Sequence, residues 1–292
     1  MQYFALTHAN QYDIIRLLSF NAKHINTNIV SMKNNTFRSF AEAQRFGGGK
    51  TMEAEFLNLT PENIADEHLC CIIRTKKPHP GVEAKRAWLA ERLAEGHTFR
   101  KLNIKGCVFI EYAPLETAWV PVLGNNFYYI YCLWVIGAPK VHGYGKQLME
   151  YCINDAKEHD KSGICMLGAA KQKAWLSDQS FAKKYGFETV DTTADGYELL
   201  SLSFDGTNPH FAPSAKTQTI DNNNCPYTLQ RIQKLREYCT QNKIQADFIH
   251  VTSLVQAKNL PCVFNNWAVF YGGKFVTVNQ IDGAAVKKII TK

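Results

Sequence analysis

Apolar positions along the chain change period at one place that organises the rest. From 127 to 135 the run Phe-Tyr-Tyr-Ile-Tyr-Cys-Leu-Trp-Val has no polar break, which predicts a buried strand. It stops at Gly137 and Pro139, and a second turn follows at Gly143 and Gly145. Beyond it Leu148, Met149, Cys152, Ile153 and Ala156 recur at helical spacing, so the glycines mark a strand handing over to a helix. Upstream, the pattern predicts a short strand over 55–59 and a helix start at Thr60-Pro61. A helix over 82–95 carries an apolar stripe of Ala84, Trp88, Leu89 and Leu93, with Gly96 past its end. Strands over 98–102 and 107–112 make a hairpin, with a further strand over 119–123. Downstream, Gly163 stops the helix and 164–167 is a strand buried on both faces. A helix over 175–185 closes on Gly186-Phe187, and strands over 187–190 and 197–204 complete a mixed α/β sheet flanked by helices.

The span 204–216 holds Gly, Asn, two Pro and Ser without periodicity, so a linker falls at 205–216 and separates a domain over 52–204 from a small unit over 217–292. That unit reads as a strand over 217–221, a helix over 227–241 with Leu229, Ile232, Leu235 and Cys239 on one stripe, a strand over 246–251, a hairpin over 268–278 and a closing helix over 281–290. Residues 1–51 fit neither unit. They read either as a leader arm with a short helix over 13–20 and a flexible tether, or as a stretch upstream of a true start at Met52.

Composition narrows the class. The 292 residues are 46% hydrophobic and 20% charged with a net charge of +7, an ordinary globular balance with scattered Lys and Arg that marks neither a nucleic-acid nor a membrane partner. Nine cysteines are odd in number and lack a framework spacing. With no C-x-x-C pair and no H-x-x-x-H spacing, no metal site is expected. A reduced, cytoplasmic protein is the expectation. Nothing in the pattern specifies an oligomeric state.

The glycine turn supplies the first chemistry. The opening N–H groups of a helix lack partners and carry the positive end of its dipole, so a phosphate-bearing ligand suits this junction.

Lys140-Val141-His142-Gly143-Tyr144-Gly145 resembles the phosphate loop of the GNAT superfamily of N-acetyltransferases, Arg/Gln-x-x-Gly-x-Gly/Ala, with Lys in the first slot. The preceding strand and Tyr185-Gly186-Phe187 resemble that family's central strand and its helix-to-strand "GF" signature. The resemblance implies a GNAT-type fold and acetyl-CoA as co-substrate, with transfer to a small-molecule or peptide amine by direct attack in a ternary complex. It implies that the backbone of Lys140, Val141, His142, Gly143, Tyr144, Gly145 and Lys146 cradles the pyrophosphate. It also implies that Leu133, Trp134 and Val135 pair with the pantetheine arm like an added strand.

Proton transfer is less legible. In many members of the family a Tyr four residues before the signature glycine protonates the thiolate, and here that slot is Ala182. Asp178, one turn earlier, and Tyr185, three positions later, are the substitutes by proximity. Glu111 lies in an otherwise apolar run and is the candidate base, its pKa raised by desolvation unless it stands at a solvated strand end. Tyr129 and Tyr131 share one strand face and are candidates to line the amine pocket.

In the second unit Asn224-Cys225-Pro226-Tyr227-Thr228 lies between a short strand and a helix, a layout resembling a thioredoxin-like fold. Cys225 is a candidate reactive thiol, because a helix N-terminus lowers a thiol pKa. Thr228 stands where a dithiol motif has its second Cys, which leaves monothiol chemistry or none. The pairing of the two units resembles the small family described as YoaP-like acetyltransferases. Two alternatives stand beside acetyl transfer: a redox or redox-sensing protein using Cys225, and a non-catalytic CoA-binding interaction protein.

Overall fold

The computed structural model describes residues 2–9, 12–18, 55–69, 80–104, 107–136, 142–173, 176–216, 227–263 and 267–291. In chain order these form β1 Gln2–Ala9, β2 Tyr12–Leu18, β3 Phe56–Asn58, α1 Pro80–Leu93, β4 Thr98–Leu102, β5 Val108–Pro114, β6 Val122–Leu123 and β7 Phe127–Val135. There follow α2 Tyr144–Glu158, β8 Gly163–Gly168, α3 Gln179–Lys183, β9 Glu188–Thr192, β10 Glu198–Ser203, β11 His210–Phe211 and α4 Pro213–Lys216. The chain continues with α5 Tyr227–Gln241, β12 Gln245–His250, α6 Leu254–Lys258, β13 Ala268–Tyr271, β14 Lys274–Thr277 and α7 Gly283–Ile290.

The main sheet runs β3-β4-β5-β7-β8-β10-β9. Its ladders are antiparallel except at its centre, where β7 pairs parallel with β8. The uninterrupted apolar run of β7 follows from this position, since both its faces are covered. On one face Leu148, Met149, Cys152 and Ala156 of α2 pack on Val108, Ile110, Tyr128, Ile130, Ile164 and Met166. On the other, Trp88 and Leu89 of α1 pack with Phe99, Phe109, Tyr129, Cys165 and Leu167.

Several local expectations yield to tertiary partners. Gly163 does not stop α2 but opens β8, where a Cβ would come within 2.4 Å of the Leu202 carbonyl oxygen and 2.6 Å of Phe127; only a glycine admits so close an approach. After Thr60-Pro61 the described chain makes turns rather than a helix, with Asn63 Oδ1 accepting the Thr60 amide at 2.8 Å. Only Val122–Leu123 of the span 119–123 is a strand, and among the described residues of 175–185 only Gln179–Lys183 is helical. The stretch 205–216 is more than a connector: β11 pairs with β6, the Phe211 amide donates to Asp191 Oδ2 at 2.9 Å, and Phe211, Ala212 and Ala215 are buried.

A second sheet of five strands runs β12-β2-β1-β13-β14. The span 13–20, expected to hold a short helix, contributes the strand β2. Its doublets Ile14-Ile15 and Leu17-Leu18 serve either period, and strand partners decide between them. Ile232, Leu235 and Cys239 of α5 are buried with Trp267, Val269 and Val286. The apolar cluster on the α1 side of the main sheet continues into Val251, Leu260, Cys262 and Phe270 of this unit. Lys258 Nζ reaches across to donate to the carbonyls of Leu115 at 2.5 Å and Val122 at 3.0 Å. Among the described residues no helix is long and apolar enough to cross a membrane, and no cluster of His, Cys, Asp or Glu is placed to hold a metal ion.

Candidate active site

The central strand is interrupted on both edges at one residue. Against β5 the register runs Glu111↔Cys132 and then Tyr112↔Ile130, so Tyr131 is an extra residue, a β-bulge. Against β8 the pairing ends at Ile130↔Met166, although β7 continues to Val135. From Tyr131 onward β7 has no further ladder with β8 among the described residues, and its backbone edge on that side lacks a strand partner. An extended ligand can add there as a strand does.

Leu133, Trp134 and Val135 line that edge, half-buried, and Trp134 Nε1 is buried without a hydrogen-bond partner. The Leu133 carbonyl accepts from Ser177 Oγ at 3.3 Å. Gln179 sits at the far side, with its Oε1 3.0 Å from where a Cβ of Gly168 would lie. At the end of the edge the helix α2 begins. Gly143 takes φ 73°, ψ 11°, and among the described residues no side chain caps the helix, whose first amides suit an anionic ligand. A Cβ on Gly145 would lie 3.6 Å from Val135 and 3.5 Å from Phe181, so the turn, the strand end and α3 meet. His142 and Lys146 are exposed; Lys146 pairs with Glu150 at 3.6 Å, and the Tyr144 ring lies 5.6 Å from that of His142. Lys140 and Val141 lie outside the described residues.

On the α1 face, Tyr131 stacks on His97 with ring centroids 5.2 Å apart, and its hydroxyl accepts the Trp119 amide at 2.7 Å. His97 Nε2 is 2.9 Å from Glu111 Oε1, to which Lys85 Nζ also donates. Trp88 packs edge-on against His97 at 5.3 Å and lies under the Lys85 ammonium at 4.7 Å. Arg92 lies over Trp119 at 5.0 Å. Tyr129 meets Tyr131 edge-on at 5.2 Å and is buried beside it.

This corrects the reading of Glu111. The carboxyl is 3% exposed, not at a solvated strand end, and its pKa is not raised. Burial pushes it up, but the Lys85 ammonium and the His97 hydrogen bond outweigh burial and hold it down at about 2. A carboxylate so engaged is a poor proton acceptor. His97 is held below its ordinary value by burial, against the pull of Glu111, and is neutral at neutral pH.

Lys85 and His97 were not legible as site residues. Lys85, Trp88, Leu89 and Arg92 follow helical spacing, and two cations within an apolar stripe were the available signal.

The candidate acids fare differently. Ala182 is 1% exposed and packs in the core. Asp178 is exposed and caps α3, accepting the Ser180 amide at 2.9 Å. That bond lowers its pKa and leaves it ionised, the wrong state for an acid. Tyr185 is half-buried, its ring 5.3 Å from Phe181, with burial raising its pKa. Cys225 lies outside the described residues.

A mixed sheet whose central strand bulges and parts from its parallel neighbour beside a glycine turn and helix start is the frame of a GNAT acetyltransferase. The Acetyltransferase (GNAT) family model matches residues 63–187, and the YoaP-like model matches residues 245–289. A curated relative, the uncharacterized N-acetyltransferase YoaP of Bacillus subtilis (strain 168), is 35% identical over 232 residues, covering 76% of this chain and 92% of the relative. The chain belongs to the YoaP family of GNAT N-acetyltransferases. Among solved structures, PaiA N-acetyltransferase from Thermoplasma acidophilum in complex with coenzyme A is 14% identical, with a TM-score of 0.37 over 52% of this chain and 100% of that one. The ribosomal-protein-S18-alanine N-acetyltransferase from Escherichia coli is 13% identical, with a TM-score of 0.36 over 53% of this chain and 96% of that one.

Proposed function

We propose that the protein moves the acetyl group of acetyl-CoA to a small-molecule or peptide amine, by direct attack in a ternary complex. The observation that carries this reading is the coincidence at Tyr131 of the bulge and the end of the β7–β8 ladder. It opens a gap that runs along Leu133–Val135 to the uncapped start of α2. The pantetheine arm pairs with that edge, with Ser177 giving up or sharing the Leu133 carbonyl, and the pyrophosphate takes the amides at 142–146. The thioester carbonyl then lies near the bulge, with the amine entering from the Tyr131 side. Of the sequence-derived acids, Tyr185 alone keeps a proton to give at neutral pH.

For the C-terminal unit, the order α5, β12, α6, β13, β14, α7 supports a thioredoxin-like reading, with Cys225 as a candidate thiol at the entry to α5. Its role is docking or substrate positioning, in a cytoplasmic protein.

The reading is tested by adding acetyl-CoA to the full chain and then a panel of amines. A rise in melting temperature with acetyl-CoA and amine-dependent release of free thiol are expected. A rise without thiol release would point to a non-catalytic CoA-binding protein, and no rise would overturn the reading.

A further inference from the structure

Lys85, His97 and Glu111 bring three buried ionisable side chains together against Tyr131, and packing does not require them. An apolar trio of similar volume would stabilise the core as well or better. We propose that His97 is the proton acceptor of the transfer reaction, held in its working tautomer by Glu111, whose ionised form Lys85 secures. This rests on the acetyl-transfer reading above and adds the group that takes the amine's proton.

Hydrogen counting sets the tautomer. An ionised carboxylate offers acceptors only. His97 Nε2, 2.9 Å from Glu111 Oε1, therefore carries the hydrogen and donates it, and Nδ1 keeps its lone pair. Lys85 Nζ donates to the same Oε1 and favours the charged carboxylate in its buried position. Among the described residues the other titratable groups around the imidazole are Arg92 of α1 and Tyr131 of β7, with Trp88 edge-on. Burial most of all disfavours a charged ring, and with Lys85 and Arg92 it outweighs the pull of Glu111, so the imidazole is held below its ordinary value and ready to accept. Tyr131, whose ring lies 5.2 Å from that of His97 with planes 27° apart, is the residue at which β7 leaves β8. The imidazole thus stands beside the bulge where the thioester is placed.

The step balances without a further reagent. The amine nitrogen attacks the thioester carbonyl carbon, the N–C bond forms and the C–S bond breaks, and coenzyme A leaves as a thiolate with the electron pair. The amine's proton passes to His97 Nδ1. The imidazolium formed lies against the Glu111 carboxylate until it gives that proton to the thiolate. One group then serves as base and acid, which accounts for a chain with Ala182 in the usual acid's slot.

Two measurements test this, the first free of any variant that might misfold. Nitrogen NMR of the full chain, with histidines isotopically labelled, is expected to show His97 as the neutral Nε2–H tautomer at pH 7. An Nδ1–H tautomer or an imidazolium at that pH would overturn the proposal. In the second, thiol release from acetyl-CoA is followed with the amine panel across pH. His97→Gln is expected to lower kcat by about 100-fold or more and to abolish the acid limb of the wild-type profile, while the thermal shift with acetyl-CoA stays. Glu111→Gln is expected to move that limb. An active wild type with an equally active His97→Gln variant sinks the proton-acceptor role alone. A wild type that releases no thiol with any amine sinks the transfer reading and this proposal with it.

Discussion

The ring of Tyr131 lies on the imidazole of His97, 5.2 Å between centroids, while its hydroxyl accepts the Trp119 amide at 2.7 Å. One side chain thus ties the bulge of β7 to the buried ion set and to the turn before β6. Tyr131→Phe keeps the ring and removes the acceptor. A loss of about 1–3 kcal/mol in urea unfolding is expected, with the acetyl-CoA thermal shift retained.

Gly143 stands at φ 73° with no atom of the described residues within 4 Å of a prospective Cβ, so the requirement those residues impose is conformational rather than spatial. Gly143→Ala is expected to cost about 1–2 kcal/mol in backbone strain. It should also shrink the rise in melting temperature with acetyl-CoA, because the turn that aims the amides of α2 moves. Gly143→Asn should be milder on both measures, since Asn tolerates the left-handed region.

Lys85 and Glu111 are 5% and 3% exposed, and removing the Lys85 ammonium takes away one of the groups that hold the buried Glu111 charge. Lys85→Met is expected to cost about 3–5 kcal/mol. The double variant Lys85→Met, Glu111→Gln should recover part of that loss in a denaturant cycle. Strict additivity of the two single losses would contradict the pairing.

Acid should destabilise the protein in two stages. His97 binds a proton less readily folded than unfolded, so its contribution is complete above an unfolded value of about 6.5 and declines as pH falls below it. Glu111, held at about 2, adds stability that is complete above its unfolded value of about 4.3 and is lost as pH falls toward the folded value. Melting temperature measured from pH 8 downward should begin to fall near the ordinary histidine range, and His97→Gln should flatten that first stage.

Lys258 of α6 holds the carbonyls of Leu115 and Val122, and burial pulls its pKa down to about 8. Lys258→Met should cost about 1–3 kcal/mol by leaving those acceptors without this donor. Folded Lys258 releases its proton earlier than the unfolded side chain, which titrates at about 10.4. Its contribution to stability therefore rises with pH between the two values. Comparing melting temperatures of wild type and variant from pH 8 to 10 should show that rise in the wild type only.

What the sequence by itself determined was local. The period change after β7, the glycines at 143 and 145, the four-residue buried stripe of α2 and the apolar run of β8 follow from neighbours in the chain. These make the strand, turn and helix that present an anion site, because hydrophobic period and glycine freedom act over a few residues. Tertiary structure decided the rest. That Tyr12–Leu18 is a strand rather than a helix depended on its ladders with β1 beside it and with β12 from the other unit. The ion set and the ring beside it draw on residues 85, 97, 111 and 131, from α1, the turn before β4, β5 and β7, whose sequences say nothing of one another. The protonation of Glu111 is hidden for the same reason: its apolar neighbours in sequence argue for a raised pKa, and the cation that lowers it arrives from α1. A charge state is set by what surrounds a group in space, and no local pattern carries that information.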